Sequence, residues 1–318
     1  MNVLLSSASN KIPLLRALQH AVKRVTSNGI VTAGDLNSNV LSRHFCDEFW
    51  QMPPTTEQNR EDIVLALKQR GITHVLPSRD GELLFWAQLK STLKSHNIHV
   101  IVSSPEAVER CVDKLRFGNH CMPGAESNCI IPTSSTLEAI ADNTDYERYV
   151  VKERFGAGSK SIGVNLNANE ASEHAKTLSS PIYQPFIDGQ EISVDAWLSE
   201  NHEVKAAMCR VRALVINGES QITYTQPQSV FLCEIEKALT SLKLSGPVVL
   251  QALVSNNKLH IIECNTRFGG ASTLGIKAGV DSLYWSLMES SGENVDSLPV
   301  NLSREKITQV RAATDYYL

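Results

Sequence analysis

KLHIIECNTRFGGA, residues 258–271, reads as a β-strand, Leu259 to Cys264, that ends in polar groups and a glycine pair. Side chains alternate faces along an extended strand, so Glu263 and Asn265 share one face while Ile262 and Cys264 take the other. An extended continuation adds Arg267 to the polar face, and Gly269-Gly270 lets the backbone turn with no side chain in the way. A carboxylate, an amide and a guanidinium then converge at one strand end. Hard oxygen donors suit Mg²⁺ and a guanidinium suits phosphate, the pairing needed where a phosphoryl group is transferred.

The preceding segment, PVVLQALVSNNK (247–258), is a second strand joined to the first through Asn256-Asn257, residues that tolerate the left-handed turn conformation. A strictly two-residue turn sends Gln251 to the face away from Glu263, whereas a three-residue loop with a bulge puts both on one face. Gln251 is the one polar residue of an apolar run, so the odd-length loop is expected. The plain alternative is a buried glutamine satisfied by backbone.

GPVVLQ (246–251) followed by IIECNTRFGG (261–270) closely resembles the metal-binding strand pair of ATP-grasp enzymes, in particular the branch similar to the large subunit of carbamoyl phosphate synthase. The resemblance implies an N-terminal parallel α/β domain and a nucleotide held between two α+β lobes. It implies Mg²⁺, or Mn²⁺ in its place, as two ions on Gln251, Glu263 and Asn265.

Bulk properties narrow the classes. A chain of 318 residues can bury a large core and suggests two or three domains or subdomains. A net charge of −4 and a pI near 6.2 argue against general electrostatic binding to nucleic acid. No apolar run reaches membrane-spanning length and Met1-Asn2 leads straight into a short strand, so a cytoplasmic protein with no membrane partner is expected. Seven cysteines are scattered with no C-x-x-C pair, as for thiols in a reducing compartment, and the histidines show no zinc spacing.

Residues 1–104 alternate strand and helix signals: strands at 2–5, 29–32, 74–77 and 99–102, helices at 12–25, 61–69 and 83–93. This alternation predicts a parallel sheet covered by helices, and no G-x-G-x-x-G follows the first strand. In LPSRDGELL (76–84), Asp80 and Glu82 follow a strand end where open α/β sheets place ligands. The segment is similar to one in the family's first domain, making Asp80 a candidate substrate contact. As a plain helix start, Asp80 is the cap and Glu82 a favourable first-turn charge.

A central lobe is expected over residues 105–182. Asp113-Lys114 falls in a short helix, where the family supplies a lysine to the phosphates, although a solvated lysine is the commoner object. YVVKERFGAGSKSIGV (149–164) carries Lys152 at a strand end and then a glycine-rich loop, whose freed N–H groups suit phosphate oxygens. It is no Walker A loop, since the spacing fails and no helix follows. It resembles the loop that ATP-grasp enzymes fold over the nucleotide, giving Gly156, Gly158 and Ser159 as contacts, against a plain hairpin turn. The family usually has proline after this lysine, and here Glu153 stands there.

A C-terminal lobe is expected over residues 183–318. YQPFIDGQEISVDAWL (183–198) looks like the family's hinge, which assigns Gln184, Phe186 and Ile187 to adenine and Glu191 to the ribose hydroxyls. Arg210 and Arg212 share one strand face by period two and suit a carboxylate substrate or developing phosphate charge. An exposed basic edge is the bland alternative. Helices follow at 231–242, 272–277 and 281–289, the last with Asp281 as N-cap.

The implied chemistry is carboxylate activation. A substrate carboxylate attacks the γ-phosphorus of ATP, and an amine displaces phosphate from the acyl phosphate, with Arg267 and Arg210 stabilising charge. Closure of residues 156–163 keeps water from the intermediate. A carbon–nitrogen ligase is thus expected, taking a small carboxylate and an amine, with a homodimer allowed. A carboxylase or phosphotransferase on the same fold, and an inactive ATP-binding regulator, are the alternatives.

Overall fold

The structure, a computed structural model, describes residues 1–122, 129–142, 146–156, 158 and 161–317. Three sheets organise them.

The first third builds β1 (Asn2–Ser6), α1 (Ile12–Val25), β2 (Ile30–Asp35), β3 (Glu48–Gln51), α2 (Arg60–Gln69), β4 (His74–Pro77), α3 (Asp80–Lys94) and β5 (His99–Val100). The strands form a parallel sheet in the order β3-β2-β1-β4-β5. Helix α1 shows why the chain folds this way: Leu14, Leu15, Leu18, Ala21 and Val22 make one buried stripe that packs on the sheet. Apolar clusters cover both sheet faces, as a parallel sheet requires. The strand Glu48–Gln51 was not expected from its sequence; only Trp50 in it is buried, so it carries no alternating signal.

A smaller unit follows, with α4 (Pro105–Val112), α5 (Lys114–Gly118), α6 (Leu137–Ala141), β6 (Tyr149–Glu153), β7 (Gly163–Leu166), α7 (Ala168–Ala175) and β8 (Pro181–Pro185). Its antiparallel sheet has the order β7-β6-β8. Strand β8 runs through the division expected at 182/183, and residues 186–189 lead onward to the large sheet.

The last part contains β9 (Gln190–Leu198), β10 (Val204–Ile216), β11 (Glu219–Thr225), α8 (Leu232–Ser241), β12 (Gly246–Ser255), β13 (Lys258–Asn265), α9 (Thr273–Lys277), α10 (Ser282–Ser290) and β14 (Thr308–Val310). Its antiparallel sheet runs β13-β12-β9-β10-β11-β14. One face is the core: Ile192, Val194, Cys209, Val211, Leu250 and Cys264 pack with Ile235 and Leu239 of α8. By strand alternation the opposite face carries the polar residues Glu191, Ser193, Asp195, Arg210, Gln251 and Glu263.

The β12–β13 hairpin corrects one expectation and keeps its consequence. Its turn has two residues, with Ser255 opposite Lys258 and both Asn256 and Asn257 at positive φ (49° and 56°). The odd residue lies further down: a bulge at Ile262 shifts the register between Ala252↔Ile261 and Gln251↔Glu263. Gln251 therefore sits directly opposite Glu263 after all. Neither Gly269 nor Gly270 has positive φ, so what glycine supplies at this bend is the missing side chain. A Cβ on Gly269 would meet Val249 at 3.2 Å and one on Gly270 the Arg311 guanidinium at 3.2 Å, so close packing is the reason for both.

Among the described residues no helix is long and apolar enough to cross a membrane. All seven cysteines are free thiols.

Candidate active site

The bulge brings the expected ligands together. Gln251 lies opposite both Glu263 and, on the other neighbouring strand, Ser193; Asn265 follows Glu263 on the same face, its amide Nδ2 3.4 Å from Glu263 Oε1. Strand β13 stops at Asn265 and the chain bends at Thr266-Arg267. Arg267 is therefore not carried on by strand alternation. Its guanidinium grips Asp80 with both arms, Nε to Oδ1 at 2.6 Å, and donates from Nη1 to Phe268 O.

Above this face stands Lys152, at the end of β6. It is 5 % exposed and has no hydrogen-bond partner among the described residues. Burial lowers its pKa to about 8; the Glu263 carboxylate works against that shift and Lys114 works with it. The ammonium of the small sheet thus lies within the field of the carboxylate of the large one.

Lys114 begins α5 rather than lying inside a longer helix, because Asp113 ends α4 and caps α5 through the N–H groups of Leu115 and Arg116. Burial alone would raise the Asp113 carboxyl, but Arg154 and those two N–H groups outweigh it and hold its pKa low. Arg154 Nε reaches Asp113 Oδ1 at 2.8 Å, and Lys114 Nζ donates to Gly156 O at 2.6 Å. Both expected lysines thus flank the start of the glycine-rich loop. Gly158 has φ of +74°, a conformation that favours glycine, while Gly156 has ample room. Ser159 lies outside the described residues. Glu153, the departure from the family pattern, accepts from the N–H groups of Ser179 and Ser180 at 2.7 and 3.0 Å, tying β6 to the start of β8.

At the hinge, the buried Gln184 donates to Thr133 Oγ1 at 2.8 Å, which leaves its amide oxygen without a partner among the described residues. Phe186 N–H is taken by Arg148 O at 2.8 Å. The neighbouring N–H of Ile187 has no partner among the described residues, which suits it to an adenine acceptor. Glu191 is ion-paired with Arg212, whose other arms reach Ser220 Oγ and Gly218 O. Arg212, expected as a substrate contact, is placed to orient Glu191.

Arg210 is buried against Asp195, Nε to Oδ2 at 2.8 Å, and Ser272 Oγ donates to the other oxygen of that carboxylate at 2.7 Å. A Cβ on Gly275 would fall 2.6 Å from Asp195 Cβ, so α9 sits directly on this pair. Asp195 was not singled out from the sequence, where it is one carboxylate in an apolar strand. Asp80 is not the cap of α3. Arg79 holds that position, and Glu82 accepts from the N–H groups of Ser78 and Arg79 at 3.0 and 3.2 Å. Asp281, expected as a cap, stands at the N-cap of α10 but makes no side-chain cap bond; it holds Arg24 at 2.7 Å instead.

The donor set fits a hard cation. Among the described residues no three His, Cys, Asp or Glu side chains gather for a metal. One carboxylate and two amides on one face suit Mg²⁺, which leaves much of its coordination to phosphates and water.

The comparisons agree with this geometry. A model of the ATP-grasp domain matches residues 111–271 and a model of the PylC-like N-terminal domain matches residues 3–101. The chain belongs to the ATP-grasp family. Among solved structures it is similar to biotin carboxylase from Campylobacter jejuni, with a TM-score of 0.73 at 18% identity over 95% of this chain and 73% of that one. It is similar to phosphoribosylglycinamide synthetase from Anaerococcus prevotii, with a TM-score of 0.70 at 16% identity over 96% and 79%. It is also similar to L-amino acid ligase from Bacillus licheniformis, with a TM-score of 0.69 at 15% identity over 94% and 77%. At these identities the likeness is one of fold. No curated protein matches the sequence.

Proposed function

We propose that this chain is an ATP- and Mg²⁺-dependent carboxylate–amine ligase that forms an amide through an acyl phosphate and yields ADP and phosphate. The observation that carries the proposal is the bulged hairpin, which aligns Gln251, Glu263 and Asn265 on one face with Lys152 above them.

In this mechanism adenine lies at the hinge against the Ile187 N–H and the Gln184 amide oxygen, beside Phe186. Glu191, steadied by Arg212, takes the ribose hydroxyls. Gln251, Glu263 and Asn265 would hold the two Mg²⁺ ions, which when bound would offset charge on the phosphates. Lys152 and Lys114 add fixed positive charge, with the loop from Gly156 and Gly158 through Ser159 beside the phosphates. The acid binds to Arg267, its carboxylate attacks the γ-phosphorus, and the amine then attacks the acyl carbon and expels phosphate. Arg210, fixed by Asp195, acts from beneath by holding α9 and the turn after Arg267 in place. Residues 1–104 serve as the first domain, the central lobe runs from residue 105 through β8, and the metal-bearing lobe begins with β9. The partners are small molecules, the compartment is the cytoplasm, and a homodimer is compatible with this reading.

The test is an ADP-release screen with Mg²⁺ across carboxylic acids and amino acids, comparing the parent with Glu263→Ala, and product mass to name both substrates. Acid-dependent turnover that the variant loses supports the proposal; equal turnover in both overturns the metal assignment. A carboxylase shares this fold, as biotin carboxylase illustrates, and bicarbonate-stimulated turnover without an amine would favour it instead.

A further inference from the structure

The order of the first sheet reverses between β1 and β4, the place where open α/β sheets receive ligands outside the carboxyl ends of their strands. Two loops border this crevice: the one after β1, in which Ser7 and Ser9 have φ of 53° and 43°, and residues 78–80 leading into α3. Lys11 is half-buried there, with Nζ donating to Ser7 O at 2.6 Å. Burial lowers its pKa, with Glu82 opposing, Arg267 adding, Asp35 opposing and Arg79 adding, so its ammonium lies within the fields of both arginines. Arg79 Nε reaches Ser7 Oγ at 3.3 Å. Beside this group of charges Asp80 is seated in the fork of Arg267. Nothing local calls for it. Glu82 supplies the capping bonds of α3, and the side chain of Asp80 has no partner other than Arg267 among the described residues.

We propose that Asp80 is a built-in surrogate for the acid substrate: it occupies the Arg267 fork while the site is empty and yields it to the incoming carboxylate. A planar guanidinium fork grips one carboxylate bidentately at a time, so Asp80 and the acid compete for it. Arg267 then turns toward the reaction only when an acid has displaced Asp80, and ATP is not spent on water alone. The proposal rests on the assignment of Arg267 to the acid.

Asp80→Asn and Asp80→Glu test it through two readouts on the full chain. The first is ADP release from Mg-ATP with no acid added. The second is the acetate concentration giving half of the maximal rise in melting temperature in the presence of Mg-ADP, acetate serving as the probe carboxylate. Asp80→Asn is expected to raise acid-free ADP release about tenfold and to lower the acetate midpoint about tenfold, as for release of a competing bound state. Asp80→Glu, which restores a carboxylate, is expected to stay near the parent in both. An unchanged acetate midpoint in Asp80→Asn, or no acetate response in it, overturns the proposal. So does acid-free turnover that falls in step with melting temperature in both variants, the mark of a merely structural tie. If parent and Glu263→Ala alike fail to turn over ATP, the ligase assignment fails, while the acetate titration still decides the role of Asp80 because it needs no turnover.

Discussion

Lys152 carries its charge under strain: burial has brought its pKa down to about 8, while the phosphates proposed to sit beside it would raise it again. Nucleotide binding near and above pH 8 should therefore take up protons. The affinity should fall as pH climbs through the free value, by up to about tenfold per pH unit until the bound-state pKa is reached. Calorimetry in two buffers of different ionisation enthalpy measures the uptake, and Lys152→Arg, charged throughout, should abolish it. Arg210 and Asp195 form a pair of the opposite kind, fully partnered and 3 % and 4 % exposed. Asp195→Ala leaves a buried guanidinium alone and should cost about 3–5 kcal/mol by chemical denaturation, whereas a joint apolar replacement should cost less. The sequence showed the residue types at this site and their alternation along strands. It did not show which charges neutralise one another, because the partners of Arg267, Arg210 and Arg212 lie 187, 15 and 21 positions away.

At the scale of elements the hairpin is decisive. Alternation by twos placed Glu263 and Asn265 together, and the lone Gln251 in an apolar strand signalled that some register shift was needed. Where the extra residue fell was not legible, since Ile262 is as apolar as Ile261 and both positions look alike in a list. Deleting Ile262 should leave one unbroken register in which Glu263 still faces Gln251, so the rise in melting temperature given by Mg-ADP should persist, whereas Glu263→Ala should abolish it. Glu153 offers a gentler test. Its carboxylate takes two N–H groups from the turn before β8, so Glu153→Ala should lower stability by about 1–2 kcal/mol. Glu153→Gln keeps an acceptor and should recover part of that on the same denaturation curve. Helix limits were read to within three residues for α1, α2, α3, α8, α9 and α10, because each buries a periodic stripe. The edge strands β3 and β14 were missed, since they are only four and three residues long and bury at most one side chain between them.

The whole molecule places the first sheet against the site, with α1 packed on α10 and Asp80 gripping Arg267 across the join. Its far edge holds an acid-sensitive pair: His74 stacks on His99 with ring centroids 5.3 Å apart, and His74 Nε2 is buried without a partner among the described residues. Burial lowers the His74 pKa from 6.5 to about 4, with His99 and the chain's amino terminus pushing the same way. The unfolded chain thus binds this proton more readily than the folded one. Stability is fully present above about pH 6.5 and should be lost as pH falls toward 4, by about 3 kcal/mol. His74→Phe should flatten that limb of a urea-midpoint profile. The strand–helix alternation foretold this sheet; the contact of its carboxyl ends with a loop two hundred residues later could be expected only from the family resemblance.

One extra residue at Ile262 divides the late hairpin into two zippers with different tooth counts. The outer zipper, closed by the paired asparagines, can gain or lose residues symmetrically without disturbing anything at its base. The inner one tolerates no such drift, for a step of one tooth exchanges wet for dry along its whole length. Variation among natural relatives should accordingly come in even increments beyond the kink, and a relative with an odd change there must have lost the kink or gained a second one.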